Sequence, residues 1–269
     1  MRADQYLVFT GAAESRTAAQ KLIDAGVVTI DGKPVKKAAE EISDGDHRVL
    51  VGAIEELKYV SRGGLKLEAA LKAFPRDLSG CIVADIGAST GGFTDCLLSF
   101  GVARVYCIDS GHGQLHPRIA ADPRVRNCEG VNARHLTPEE LVSFEEKATL
   151  EKGVAADKAF AGIVDGAVMD VSFISQTMIH PALARMIRDG GFLYTLIKPQ
   201  FEAGAKALGK GGVVKKEADR KAAVDKVVTG AEACGFVLSG IIPSPIHGGD
   251  GNIEYIAYFI KKNRGDFGG

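Results

Sequence analysis

The chain has 269 residues, 46% of them hydrophobic, with 33 Lys and Arg against 34 Asp and Glu and a formal net charge of −1. That length allows one large core and a second small one, while the balanced charge excludes a whole-molecule basic field, so any nucleic-acid contact has to use local patches. No run reaches the roughly 18 apolar residues of a membrane span, and the start MRADQYLVFTG lacks the apolar core of a secretory leader, so a soluble cytoplasmic protein is expected. Cys81, Cys96, Cys107, Cys128 and Cys234 are odd in number and never in C-x-x-C spacing, which argues against a disulfide framework or a zinc site. They read as small buried apolar residues, and no metal is expected.

Residues 3–10 and 15–25 are predicted as two short helices, the second opened by Ser15 as N-cap and closed by Gly26. Val27 to Ile30, the pair Asp31-Gly32 and Lys33 to Val35 then read as a hairpin, with a further strand near His47 to Val51. This layout resembles the small alpha-L RNA-binding module shared by a ribosomal small-subunit protein, pseudouridine synthases and tyrosyl-tRNA synthetases. The matching residues are Arg2-x-Asp4-x-x-Leu7, Glu14-Ser15-Arg16-x-x-Ala19-x-Lys21-x-Ile23-x-x-Gly26-x-Val28 and Gly32-Lys33-x-Val35. The resemblance implies that Arg2, Arg16, Lys21, Lys33, Lys36 and Lys37 meet an RNA backbone. Residues 1–58 hold 8 basic and 10 acidic side chains, but 6 basics against 4 acids precede residue 38, so the positive charge is local. A solvated face on a protein-binding module is the alternative reading of those basics. The expected organisation is a module over 1–55, a charged linker over 56–62, a main domain over 63–263 and a tail over 264–269.

After the linker, Val60 to Lys66 lead into a helix with Leu67, Leu71 and Phe74 on one face; Lys66 lies off it and reads locally as a solvent-exposed lysine. Ile82 to Ile86 is an apolar run broken by Asp85, and it ends in Gly87-Ala-Ser-Thr-Gly91-Gly92, the signature of a buried strand turning sharply into a helix. That helix carries Phe93, Leu97 and Phe100 and stops at Gly101, and the next strand, Val102 to Ile108, finishes on Asp109. The dinucleotide pattern G-x-G-x-x-G requires glycine where Ser89 stands, which counts against a dinucleotide site. Asp85-x-Gly87-x-Ser89-x-Gly91 remains open to a cofactor-binding turn or a purely structural one.

A third strand is expected near Val125, followed by Asn132, placed either to reach an adenine ring or simply on a surface loop. Residues 137–162 are helix-prone and charged. Ala167 to Phe173 reads as a fourth strand interrupted by Asp170, then a helix from Ser175 to Arg188 ending at Gly190-Gly191, and a fifth strand, Phe192 to Ile197, that runs into Lys198-Pro199. Gly204 to Val214 is one residue away from a phosphate-binding loop, but Gly211 replaces the magnesium-holding Ser or Thr, so a mobile flap is expected instead. A helix over 215–234, a strand over 236–241, a turn over 243–251 and a strand from Ile253 to Ile260 carrying Glu254 complete the chain. The alternation implies an α/β fold, a doubly wound, mostly parallel seven-stranded sheet with one antiparallel strand at its edge.

Asp85-Ile-Gly-Ala-Ser-Thr-Gly91 resembles the first motif of class I S-adenosylmethionine-dependent methyltransferases, and Lys66, Asp170, Lys198 and Glu254 resemble in type and order the tetrad of FtsJ-like ribose 2′-O-methyltransferases. Together with Tyr59-Val-Ser-Arg-Gly-Gly-Leu-Lys-Leu67, Met169-Asp-Val-Ser-Phe-Ile-Ser175, Ile197-Lys-Pro-Gln-Phe-Glu202 and Gly251-Asn-Ile-Glu-Tyr255, they make almost the whole chain similar to the TlyA family. That resemblance implies methylation of a cytidine 2′-hydroxyl in ribosomal RNA, with ribosomal RNA or subunits as partner. It implies S-adenosyl-L-methionine as cofactor, held by Asp85, Gly87, Ser89, Thr90, Gly91, Gly92, Phe93, Asp109, Asn132 and Asp170. It assigns Lys198 as base, Lys66 and Asp170 as groups that position the hydroxyl and tune Lys198, and Glu254 as the residue that orients a lysine. The linker Leu57-Lys-Tyr-Val60 departs from the Arg/Trp motif of some members, so coupling between RNA and cofactor binding is not carried over. Competing readings are an inactive RNA-binding protein that keeps the fold, a haemolysin, for which no apolar span or barrel pattern exists, and a dinucleotide oxidoreductase.

Overall fold

The computed structural model describes residues 1–24, 27–43, 45–51, 58–153, 159–248 and 251–263, and its contacts divide the chain after Lys58. In the first unit, α1 (Ala3–Phe9) and α2 (Arg16–Asp24) pack Leu7, Ala19, Leu22 and Ile23 with Val28 and Ile30 of a small sheet. Ser15 Oγ accepts the Ala18 N–H at 3.1 Å, an N-cap bond that satisfies one of the helix's free amides. The sheet has the order β2-β1-β3, with β1 Val28–Ile30, β2 Lys33–Pro34 and β3 Val49–Val51, all antiparallel. Asp31 and Gly32 both have positive φ (51° and 77°), which the two-residue hairpin turn requires. Strand β3 starts two residues later than the sequence suggests, because the His47 ring bonds Asp31 at 2.6 Å and its amide bonds Tyr6 Oη at 3.1 Å. The Gly26 helix stop, the 52–55 end of the module, the 56–57 part of the linker and the 264–269 tail lie outside the described residues.

The second unit contains α3 (Gly63–Ala73), β4 (Ile82–Ile86), α4 (Gly92–Ser99), β5 (Arg104–Asp109), α5 (Pro117–Ala120), β6 (Val125–Glu129) and α6 (Pro138–Lys152). It continues with β7 (Val164–Met169), α7 (His180–Met186), β8 (Ile187–Ile197), α8 (Pro199–Glu202), α9 (Glu217–Glu232), β9 (Phe236–Pro243) and β10 (Tyr255–Lys261). The strand order is β6-β5-β4-β7-β8-β10-β9, parallel except that β10 runs antiparallel to both β8 and β9. Side chains alternate across the sheet: Val83, Val105 and Val168 join the core under α3 and α4, while Ala84, Ile86, Tyr106 and Ile108 join the core under α7 and α9. No helix among the described residues is long and apolar enough to cross a membrane.

Several sequence expectations shift. The antiparallel strand is not at the edge. Strand β10 is inserted between β8 and β9, as its continuous apolar run Tyr255 to Ile260 permits, whereas β9 alternates buried and exposed residues and takes the edge. The helix expected over 175–188 is a 3-10 turn at Gln176–Met178 followed by α7, and residues 187–191 belong to β8 because Ile187 pairs with Val164. Strand β7 ends at Met169, which leaves Asp170 to Phe173 in the following loop, and Glu254 likewise precedes β10. Phe100 caps α4 and is 36% exposed rather than sharing the buried face of Phe93 and Leu97. The carboxyl-terminal end of the segment expected as a flap is held in place: Asn252 accepts the Val214 N–H at 3.1 Å and donates to the Gly212 carbonyl at 3.3 Å. Cys96, Cys107 and Cys128 are buried, but Cys81 and Cys234 are only half-buried.

Candidate active site

The carboxyl ends of β4, β5, β7 and β8 meet around the turn after β4. A Cβ on Gly87 (φ 80°) would fall 2.5 Å from the Asp170 carbonyl oxygen, so only glycine lets the two strand ends approach this closely. Ser89 sits at φ 46°, a strained position for a residue with a side chain, and its N–H donates to Asp109 Oδ2 at 2.8 Å. The Gly111 N–H donates to Asp109 Oδ1, also at 2.8 Å, so two backbone amides fix the carboxylate at the end of β5.

Two adjoining cavities share Gly87, Ser89, Asp170 and Ser172. The larger, about 550 Å³, is bounded by Asp109, Gly111 and Asn132, with Ile108, Val131 and Ile174 as apolar wall. Asn132 Oδ1 accepts the Arg134 N–H at 3.1 Å, which orients its side chain at the rim. The smaller, about 340 Å³, is bounded by Lys66, Lys198, Glu254, Thr90, Gly92 and Phe93. Lys66 Nζ lies 2.6 Å from Glu254 Oε2, and Lys198 Nζ lies 2.5 Å from Asp170 Oδ1 and donates to Ser172 Oγ at 2.9 Å. Lys66 is therefore not the exposed helical lysine of the local reading. Its side chain is only 11% exposed, and Glu254 offsets its charge.

Two residues predicted to touch a cofactor lie elsewhere. Asp85 points down between β4 and α4, is fully buried and borders neither cavity. Thr94 Oγ1 donates to its Oδ2 at 2.6 Å, Oδ1 has no hydrogen-bond partner, and burial pushes the carboxyl up to about 7 from 3.8. The folded state thus holds a proton that the unfolded chain releases near pH 4, and the cost of ionising Asp85 grows as pH rises through that interval. Asp85→Asn is expected to gain stability relative to wild type at pH 8 but not at pH 4, by as much as ~4 kcal/mol, measured by urea unfolding at both pH values. Gly91 (φ 90°) also borders neither cavity; a Cβ there would fall 2.9 Å from Leu115, so its role is close packing.

Four residues at the site carry no signal in the sequence that marks them out. Ser172 and Gln200, which donates to Glu254 Oε1 at 3.4 Å, stand inside motifs already noted but carry no charge to draw attention. Phe173, expected inside a strand, is 90% exposed at φ 63°, with its ring 5.0 Å from that of Phe201; nothing in the hydrophobic pattern signals it. The sequence places Gly248 only in a turn, yet a Cβ there would fall 2.1 Å from Glu254 Oε1. Gly248→Ala is expected to push that carboxylate off Lys66 and slow turnover about 10-fold, with cofactor affinity unchanged, in parallel kinetic and calorimetric assays.

Residues 59–261 match the model of the FtsJ-like methyltransferases. The chain belongs to that family. Residues 1–47 match the S4 domain. This methyltransferase is 39% identical over 260 residues to "Hemolysin A" of Brachyspira hyodysenteriae, covering 97% of this chain and 100% of that protein. It is 40% identical over 257 residues to the "16S/23S rRNA (cytidine-2'-O)-methyltransferase TlyA" of Mycobacterium tuberculosis, covering 96% of this chain and 88% of that protein. A solved structure from Streptococcus thermophilus, described provisionally as a hemolysin, superposes with a TM-score of 0.71 at 38% identity, covering 98% of this chain and 89% of that one. S-adenosylmethionine is the cofactor of this methyltransferase. The residues present fit it, since the larger cavity joins an amide-fixed carboxylate, suited to ribose hydroxyls, to an apolar wall suited to a purine.

Proposed function

We propose that this methyltransferase modifies the ribose 2′-hydroxyl of cytidine in ribosomal RNA. The observation that carries the reading is the pair of ion pairs, Lys198–Asp170 and Lys66–Glu254, on the wall of a cavity that adjoins the cofactor cavity. Bound S-adenosylmethionine supplies an electrophilic methyl group. Asp109 and Asn132 would hold its nucleoside end, and Gly87, Ser89 and Asp170 would border both it and the substrate.

Lys198 is the group we assign to remove the hydroxyl proton. It can do so only as the neutral amine, so its own proton must first leave to solvent; Asp170 Oδ1 at 2.5 Å and Ser172 Oγ at 2.9 Å hold the nitrogen in place at the cavity wall. Glu254 holds Lys66 at the cavity wall, where the ammonium can donate to the substrate oxygen. Phe173, exposed beside Ser172, offers a face on which an unstacked base can lie.

In the S4 unit, Lys21, Lys33, Lys36 and Lys37 are exposed and suited to phosphate contacts. Arg2 and Arg16 are already committed to buried Asp4, at 3.0 and 2.8 Å, and their hydrogen bonds hold that carboxyl well below the usual range. They remain 44% and 57% exposed, so a phosphate would share them with Asp4. We assign RNA binding to residues 1–55 and methyl transfer to residues 63–263, with 56–62 as linker, a ribosomal subunit as the physiological partner and the cytoplasm as the place of action. The test is transfer of labelled methyl from S-adenosylmethionine to isolated ribosomal RNA and to each ribosomal subunit. Incorporation into at least one is expected, and none into any would overturn the proposal.

A further inference from the structure

The loops that carry Asp170 and Lys198 are tied together by a buried polar network that the reaction described above does not use. Glu202, at the end of α8, is 4% exposed; its Oε2 accepts from Ser175 Oγ at 2.6 Å and its Oε1 from the Gln176 N–H at 2.8 Å. Gln176, 1% exposed, accepts from Thr195 Oγ1 at 2.7 Å and donates to the Leu196 carbonyl at 2.5 Å. Lys226 of α9 closes the set from outside, donating to the Glu202 carbonyl at 3.0 Å and to Oε2 at 3.2 Å. Among the described residues, no main-chain hydrogen bond joins the segment after β7 to the segment after β8. Beyond the last β7–β8 pair, Met169 with Thr195, their spacing rests on side chains: this polar network and the Phe173–Phe201 ring contact.

That spacing sets the contact between Lys198, on one segment, and Asp170 and Ser172, on the other. Burying a carboxylate is costly unless donors satisfy it, and an apolar residue would pack this corner without that cost. Every donor to Glu202 comes from the facing loop or from α9, so the carboxylate acts as a tie between segments. We propose that Glu202, together with Gln176, is a positioning residue that fixes Lys198 against Asp170. The inference rests on Lys198 being the proton acceptor.

The experiment uses the full chain and compares Glu202→Gln, which keeps an acceptor for the Gln176 N–H, with Glu202→Ala, which keeps none. S-adenosylmethionine affinity is read by calorimetry and folding by thermal unfolding. The single-turnover rate on deproteinised ribosomal RNA is followed from about pH 6 to about pH 9, with Lys198→Ala run alongside. Glu202→Ala is expected to lose roughly 10- to 100-fold in rate and to move the midpoint of the pH profile, with affinity within about threefold of wild type. Glu202→Gln is expected to stay within about fivefold of wild type and to keep the wild-type midpoint. A folded Glu202→Ala protein with the wild-type rate or midpoint would overturn the inference, as would a rate loss matched by an equal loss of affinity. If Glu202→Ala does not fold, Ser175→Ala removes one tie alone, and a moved midpoint supports the inference where an unmoved one overturns it. A fully active Lys198→Ala would instead remove the premise, whereas an inactive Lys198→Ala beside an unaffected Glu202→Ala sinks the inference alone.

Discussion

Lys198→Ala is expected to lower the rate of methyl transfer by about 10³-fold or more while leaving S-adenosylmethionine affinity within about threefold of wild type. The separation of effects follows from where the side chain lies. Lys198 borders the smaller cavity, while Asp109 and Asn132 border the larger one, so truncating the lysine empties the substrate side and spares the nucleoside side. It also removes the cation that neutralises Asp170 and the donor to Ser172, so a folded-state control is required; its side chain is only 12% exposed. Lys198→Arg separates charge from proton transfer, because a guanidinium keeps the ion pair but does not deprotonate, and it is expected to be nearly as inactive. A single-turnover assay with saturating cofactor gives the rate, and calorimetry gives the affinity. Near-normal turnover by Lys198→Ala would remove the lysine from the chemistry.

Asp109→Ala is expected to produce the second large effect, on the other side of the site. The carboxylate serves two purposes at once, because each oxygen accepts one backbone N–H, from Ser89 or Gly111, and still has lone-pair capacity for a ribose hydroxyl. In the role proposed for it, losing it would remove the acceptors for the cofactor ribose, and it would also release Ser89 from the anchor that holds its left-handed backbone. Charge-assisted hydrogen bonds contribute roughly 1.5 to 3 kcal/mol each, so affinity for S-adenosylmethionine should weaken about 100-fold or more. Titration calorimetry measures this directly. An affinity within a few-fold of wild type would show that the larger cavity is not the nucleoside site.

The sequence makes part of this arrangement legible. The run Ile82 to Ile86 followed by Gly87, and the apolar run ending on Asp109, announce their strands and turn through local pattern alone, and the structure puts both strand ends at one crevice. Burial direction is harder to read. Asp85 stands two residues before the turn in either case, and only the pleat of β4 decides that it points under α4 toward Thr94 rather than into the cavity. Non-local pairing is harder still. Lys66 and Glu254 are 188 residues apart, and the helical period around Lys66 says only that it avoids the Leu67 and Leu71 face. The start of β8 was hidden for a related reason: Gly190-Gly191 looks like a helix stop until Ile187 is seen to pair with Val164. The network around Glu202 is not legible either: Ser175 and Glu202 close two of the quoted motifs, but nothing in their local pattern says that the two segments meet.

In the proposed reaction the methyl group reaches a ribose oxygen and not a base. This is tested most directly by digesting enzyme-treated ribosomal RNA to nucleosides and identifying the methylated product by mass spectrometry, with a 2′-deoxy substitution at the mapped nucleotide as the second arm. The natural RNA is expected to yield 2′-O-methylcytidine and the deoxy-substituted RNA no product. A base-methylated nucleoside, or methylation that survives loss of the 2′-hydroxyl, would contradict the proposed reaction.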